Sequence, residues 1–192
     1  MLDVKSIEIL NNSICSLKET SKDNHAGTDD YMTDSMLPVV NFDMVKNEYI
    51  KGLKIPEAPK SNDAFYVNGN GDMYFIEFKS GRMDNNKIYG VRQKIYDSLL
   101  ILTDIINVGI SYTRQNLNYI LVYNELKNPL EETEKQELQT SPSRTKIGNW
   151  VAKKAKKELI RFRLERFKNL YFKNVCTYTE EEFEASFVKK WT

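Results

Sequence analysis

The stretch from Ser61 to Gly81, SNDAFYVNGNGDMYFIEFKSG, decides the fold class. Ala64 to Val67 and Met73 to Lys79 are runs rich in aromatic and β-branched residues, and Asn68-Gly69-Asn70-Gly71 between them is turn chemistry, so a β-hairpin is predicted. In its second strand a period of two puts Phe75, Glu77 and Lys79 on one face, and Tyr74, Ile76 and Phe78 on the other. Large apolar groups on both faces imply burial on both sides, and carboxylate and ammonium groups are seldom buried unless they are paired or bind a metal. Register decides whether Asp63 joins them. A two-residue turn at Gly69-Asn70 sets Asp63 opposite Ile76, on the wrong face, whereas a three-residue Gly69-Asn70-Gly71 loop sets it opposite Glu77, and the three-residue loop is the expectation. Two carboxylates brought together repel each other. A hard divalent cation, Mg2+ with Mn2+ as substitute, would relieve that repulsion.

Working outward, Asn41 is the N-cap of a helix marked by Phe42, Val45, Tyr49 and Leu53, which must end before Pro56 and Pro59 and which carries Glu48. On the other side, Ile88, Val91, Ile95, Leu99, Leu102 and Ile106 keep a helical period from about Asn86 to Asn107. Leu117 to Tyr123 is almost continuously apolar, as in a central strand covered on both faces and reached by a helical crossover. The core order is therefore helix, hairpin, helix, strand, in a single domain.

Ile7, Leu10, Ile14 and Leu17 predict an N-terminal helix over residues 1–17, followed by a mobile polar loop over 18–36. Beyond a polar connection, Val151, Ala155, Leu159, Phe162 and Phe167 predict a long amphipathic helix within 143–192. A short strand around Val175 to Tyr178 comes next. Thr179 with Glu182 then forms a capping box opening a last helix that turns Phe183 and Phe187 inward.

The net charge of +1 hides an uneven distribution: from Ser143 to Val175 eleven Lys and Arg face only Glu158 and Glu165. Lys153, Lys154, Lys156, Lys157, Arg161 and Arg163 on the predicted helix form a candidate nucleic-acid surface, whose bland counterpart is the solvated side of an amphipathic helix. One histidine, His25, excludes chemistry needing paired histidines and reads as a loop residue. Cys15 and Cys176, far apart in sequence, suit small buried hydrophobes better than a disulfide framework or zinc site. No apolar run approaches the roughly twenty residues of a membrane span, and a cytoplasmic protein is expected.

The hairpin residues resemble the PD-(D/E)XK nuclease superfamily, in which an acidic residue at the start of one core strand meets Glu-x-Lys or Asp-x-Lys on its antiparallel neighbour. Here Ser61-Asn62-Asp63 corresponds to the first motif and Glu77-Phe78-Lys79 to the second, and the resemblance covers about Asn41 to Tyr123. It implies a restriction-endonuclease-like αβββαβ core, a mixed central sheet flanked by helices, and a Mg2+-dependent hydrolase of phosphodiester bonds, with DNA favoured over RNA. Asp63, Glu77 and the carbonyl of Phe78 would be metal ligands, and Lys79 would position the attacking water. Glu48 matches the place where many members add a carboxylate, and Arg92 and Gln93 are accessory candidates on the following helix, able with Lys94 to touch phosphates where the plainer reading is a solvated face. Asn62 stands where the motif has proline. Gln93 is followed four residues on by Asp97 rather than tyrosine, so one subfamily pattern fails. A homodimer stays open, as do two other functions: an inactive nuclease-fold module that binds nucleic acid, and a non-enzymatic interaction domain.

Overall fold

A computed structural model describes residues 2–23, 30–131, 134 and 159–191. Strand β5 (Ala64–Val67) and strand β6 (Met73–Lys79) form the antiparallel hairpin, with Val67 opposite Met73 and Ala64 opposite Ile76. The amide of Asn68 bonds the carbonyl of Asp72 (3.0 Å), which leaves Gly69, Asn70 and Gly71 as a three-residue loop. Gly71 takes the left-handed conformation (φ 84°) that closes such a loop and that a side chain would disfavour. The register therefore carries Asp63 to the position opposite Glu77.

Seen across the sheet, the hairpin sits in the middle of six strands. Strand β1 (Ile14–Ser16) pairs antiparallel with β4 (Pro38–Asn41), and β4 pairs antiparallel with β5. Helix α4 (Asn85–Ile105) then crosses over, and a short helix α5 (Ile110–Asn116) leads into β7 (Leu117–Tyr123), which lies parallel to β6. Strand β8 (Asn174–Thr179) adds parallel to β7 at the edge. The order is β1-β4-β5-β6-β7-β8, a mixed sheet of an α/β protein.

Alternation along the strands feeds two cores. On one face Phe65, Phe75, Tyr119 and Leu121 pack with Phe42 and Val45 of helix α3 (Phe42–Tyr49), with Val91, Ile95 and Leu99 of α4, and with Phe167 and Phe172. On the other, Ile76, Phe78, Ile120 and Val122 pack beneath Leu17 of α2 (Leu17–Thr20) and the C-terminal helix. That last helix opens at α6 (Glu180–Phe183), runs through a π turn at Glu184–Val188 and ends at α7 (Lys189–Trp191); the Thr179–Glu182 capping box is present at its start. Both cysteines are free and half-buried.

Several expectations change. The N-terminal segment is not one helix: α1 (Glu8–Asn11) stops, and β1 follows before α2. Part of the expected loop is ordered, with β2 (Lys22–Asp23) and β3 (Asp30–Tyr31) forming a small separate ladder, while His25 lies outside the described residues. Because β4 precedes α3, the helix expected ahead of all three antiparallel strands lies between the first and the second. The long basic helix does not continue through 159–168. Phe162 and Arg163 take left-handed backbone angles (φ 61° and 57°) and only a 3-10 turn at Glu165–Phe167 follows. Lys153, Lys154, Lys156 and Lys157 lie outside the described residues. Among the described residues, no single helix is long and apolar enough to cross a membrane.

Candidate active site

Asp63 ends the loop that enters β5, and three contacts fix it. Its carbonyl accepts the amide of Phe42 (3.1 Å) at the start of α3, its neighbour Asn62 donates an amide to the Ser98 hydroxyl of α4 (2.8 Å), and its own Oδ2 accepts the amide of Phe78 (2.7 Å). Glu77 is fully buried on the same sheet face, under α4. The ammonium of Lys94, on α4, lies 2.9 Å from Asp63 Oδ1 and 2.7 Å from Glu77 Oε1, so one cation spans both carboxylates. Lys79 also pairs with Glu77 Oε1, and it donates to the Phe78 carbonyl (3.2 Å). Two acids and two ammonium groups thus balance in one buried cluster, which is what makes a carboxylate with no exposed surface tolerable.

The balance is uneven by atom. Glu77 Oε2 is buried with no hydrogen-bond partner, and so is the hydroxyl of Tyr119 on the same face. Burial and the neighbouring Glu77 charge push Asp63 up to about 6, against the pull of Lys94, Lys79 and the Phe78 amide. Burial works against the Lys94 charge, yet Glu77 and Asp63 outweigh it and hold the ammonium above its ordinary range. Burial, with Glu77 and Asp63 nearby, pushes the Tyr119 phenol far up.

Asp63, Phe78, Lys79 and Lys94 line a cleft of about 430 Å³, which the fully buried Glu77 does not itself reach. Its lining also includes the acids Glu19, Asp23 and Asp43 and the bases Arg82 and Lys87. Of the residues expected here, Asp63, Glu77, Lys79 and the backbone of Phe78 come together. Glu48 does not: it is exposed, pairs with Lys51 (3.1 Å) and borders a different groove. Five residues along a helix is about 140° of rotation, and it is Asp43, hydrogen-bonded by Ser61, that reaches the cleft from α3. Arg92 donates to the Arg163 carbonyl (3.0 Å) and Gln93 accepts from Lys60 (2.6 Å), both away from the cleft.

Arg161 is not a surface cation at all. It is buried, pairs with Glu134 (2.8 Å), donates to the carbonyls of Asn128 and Pro129, and stacks on Tyr123 and Phe162. Arg163 is exposed. Lys94, expected only as a phosphate contact or a solvated helix residue, instead bridges the two acids; Lys87, Val91, Lys94 and Ser98 follow helical spacing, which puts the two cleft lysines on one stripe with a buried serine. Compared with known proteins, the chain matches no family model, no curated protein and no solved structure.

Proposed function

We propose that the chain is a divalent-metal-dependent nuclease with a restriction-endonuclease-like core, hydrolysing phosphodiester bonds of nucleic acid, DNA in the first instance. The observation that carries this reading is the single ammonium shared by Asp63 and Glu77, with Lys79 on the same sheet face at the floor of a cleft. The pairings of β4, β5, β6 and β7, two antiparallel and one parallel with α4 crossing over before β7, support it, although α3 falls between β4 and β5 rather than ahead of the three strands.

The residues fit a hard cation. Asp63, Glu77 and the carbonyl of Phe78 offer oxygen donors only, and Glu77 Oε2 is a buried acceptor lacking a donor. Among the described residues no third acid or histidine joins them, so water and substrate oxygens would complete the shell, as Mg2+ prefers. When bound, such a cation lowers the pKa of its water and screens phosphate charge.

The chain's own groups do the rest. The Phe78 amide holds Asp63 Oδ2, leaving Oδ1 toward the shared site. Lys79, steadied by the Phe78 carbonyl, orients water and meets negative charge as it develops on the phosphate. Arg82 and Lys87 line the cleft and attract the phosphate backbone. The apolar core around Phe75, Tyr119 and Leu121 keeps bulk water from Glu77.

The test is cleavage of labelled single- and double-stranded DNA and RNA with Mg2+, Mn2+ or chelator, beside Asp63→Asn, Glu77→Gln and Lys79→Met. Cation-dependent cleavage should fall by about 100-fold or more in each variant. Equal cleavage by all four proteins would mark a contaminant and defeat the assignment. A second reading, an inactive module that binds nucleic acid, is favoured by the ion-pair cluster being charge-balanced by its own lysines. Salt-sensitive binding with no cleavage would select it.

A further inference from the structure

The position between the two carboxylates is where a divalent ion would have to sit, and a side chain of this protein already reaches it. Lys94 Nζ is within 2.9 Å of Asp63 and 2.7 Å of Glu77, whereas Lys79 touches only Glu77 and a carbonyl. An ion held by Asp63 Oδ1 and either oxygen of Glu77 would lie close against the Lys94 ammonium, and like charges at that separation repel strongly. Lys94 has room to leave: its side chain is 22% exposed and it lines the cleft. The four charged side chains sum to zero, so a bare dication would leave the pocket with a surplus of two positive charges. A phosphodiester anion offsets part of that surplus and gives the released ammonium a partner.

We propose that Lys94 is the resident cation of the site, displaced from between Asp63 and Glu77 when a divalent ion enters, and that it then pairs with the substrate phosphate, so that ion and nucleic acid bind cooperatively. This rests on the nuclease reading of the same pocket, but it concerns binding rather than cleavage.

Calorimetric titration of Mn2+ into the full chain tests it, alone and with a thymidine dinucleotide, or with its uncharged methylphosphonate counterpart. In the wild type the dinucleotide should tighten Mn2+ binding by about tenfold or more, and the methylphosphonate should not. Lys94→Met should bind Mn2+ alone about tenfold tighter than the wild type, with the dinucleotide effect largely gone, while Lys94→Arg, which keeps the charge, should retain it. On the unaltered protein, reductive methylation of Lys94 read by mass spectrometry should speed up severalfold when Mn2+ is added without dinucleotide, and that of exposed Lys51 should not. If Lys94→Met binds Mn2+ no tighter than the wild type, or if Lys94 reactivity ignores Mn2+, the displacement is wrong while the nuclease reading survives. Failure of every protein to bind Mn2+, with or without dinucleotide, overturns both.

Discussion

At Asp63 the energetics run against the usual behaviour of a paired carboxylate. Its folded pKa, about 6, lies above the ordinary value of 3.8, chiefly through burial and then through Glu77. A raised folded pKa means that folding favours the protonated form, so this residue's contribution to stability is full below about pH 4 and is lost as pH rises through about 6. Asp63→Asn removes that titration. Urea denaturation in chelator, from pH 4 to 7, should show the wild type losing on the order of 2 kcal/mol relative to the variant across that window. A difference between the two proteins that stays constant with pH would contradict the assignment. Glu77 and Lys79 could be read from the strand alone, because the alternation that buries Phe75 buries them too. Lys94 could be placed on the right helix but not against these acids, since only the crossing of α4 over β5 and β6 brings its ammonium there.

At the scale of elements, what was legible is what is local. The Asn-Gly hairpin, the period of α4, the apolar run of β7 and the Thr179 capping box are all written in neighbouring residues, and each appears where the pattern puts it. Strands β1 and β4 were missed because three or four residues carry too little periodicity, and their pairing joins segments more than twenty residues apart. The segment from Leu159 failed for a different reason. Its helical spacing is overridden by Arg161, whose guanidinium is drawn into Glu134 and two carbonyls, with Phe162 and Arg163 turning left-handed just after it. Arg161→Met leaves Glu134 and those carbonyls without their donor and should cost about 3 kcal/mol in urea denaturation. At a temperature where both proteins are folded, the salt dependence of DNA affinity should be that of the wild type, since a buried arginine releases no counterions. A shallower salt slope in the variant would return Arg161 to the nucleic-acid surface.

Over the whole molecule, the ion cluster joins elements that the chain brings together from far apart: β5, β6 and α4 meet at Asp63, Glu77, Lys79 and Lys94, beneath the crossover that makes the sheet mixed. Breaking it should therefore be felt globally rather than locally. Glu77→Ala leaves two partly buried ammonium groups facing a void and should cost about 3 kcal/mol. That loss should appear in the amides that exchange only by global unfolding, which are those of β6 and β7, the longest strands of the sheet, with neighbours on both sides and cores on both faces. Thr179→Ala provides the contrast. It removes a helix cap worth about 1 kcal/mol, and its effect should stay within α6 and the turns after it. Hydrogen exchange followed residue by residue distinguishes the two: in Glu77→Ala the slowest amides of β6 and β7 should speed up together by about 100-fold, and in Thr179→Ala they should change far less than those near Phe183. If Glu77→Ala accelerates only the start of α4 and leaves the central strands as slow as before, the cluster is a surface fixture of the cleft and not part of what holds the sheet to its crossover helix.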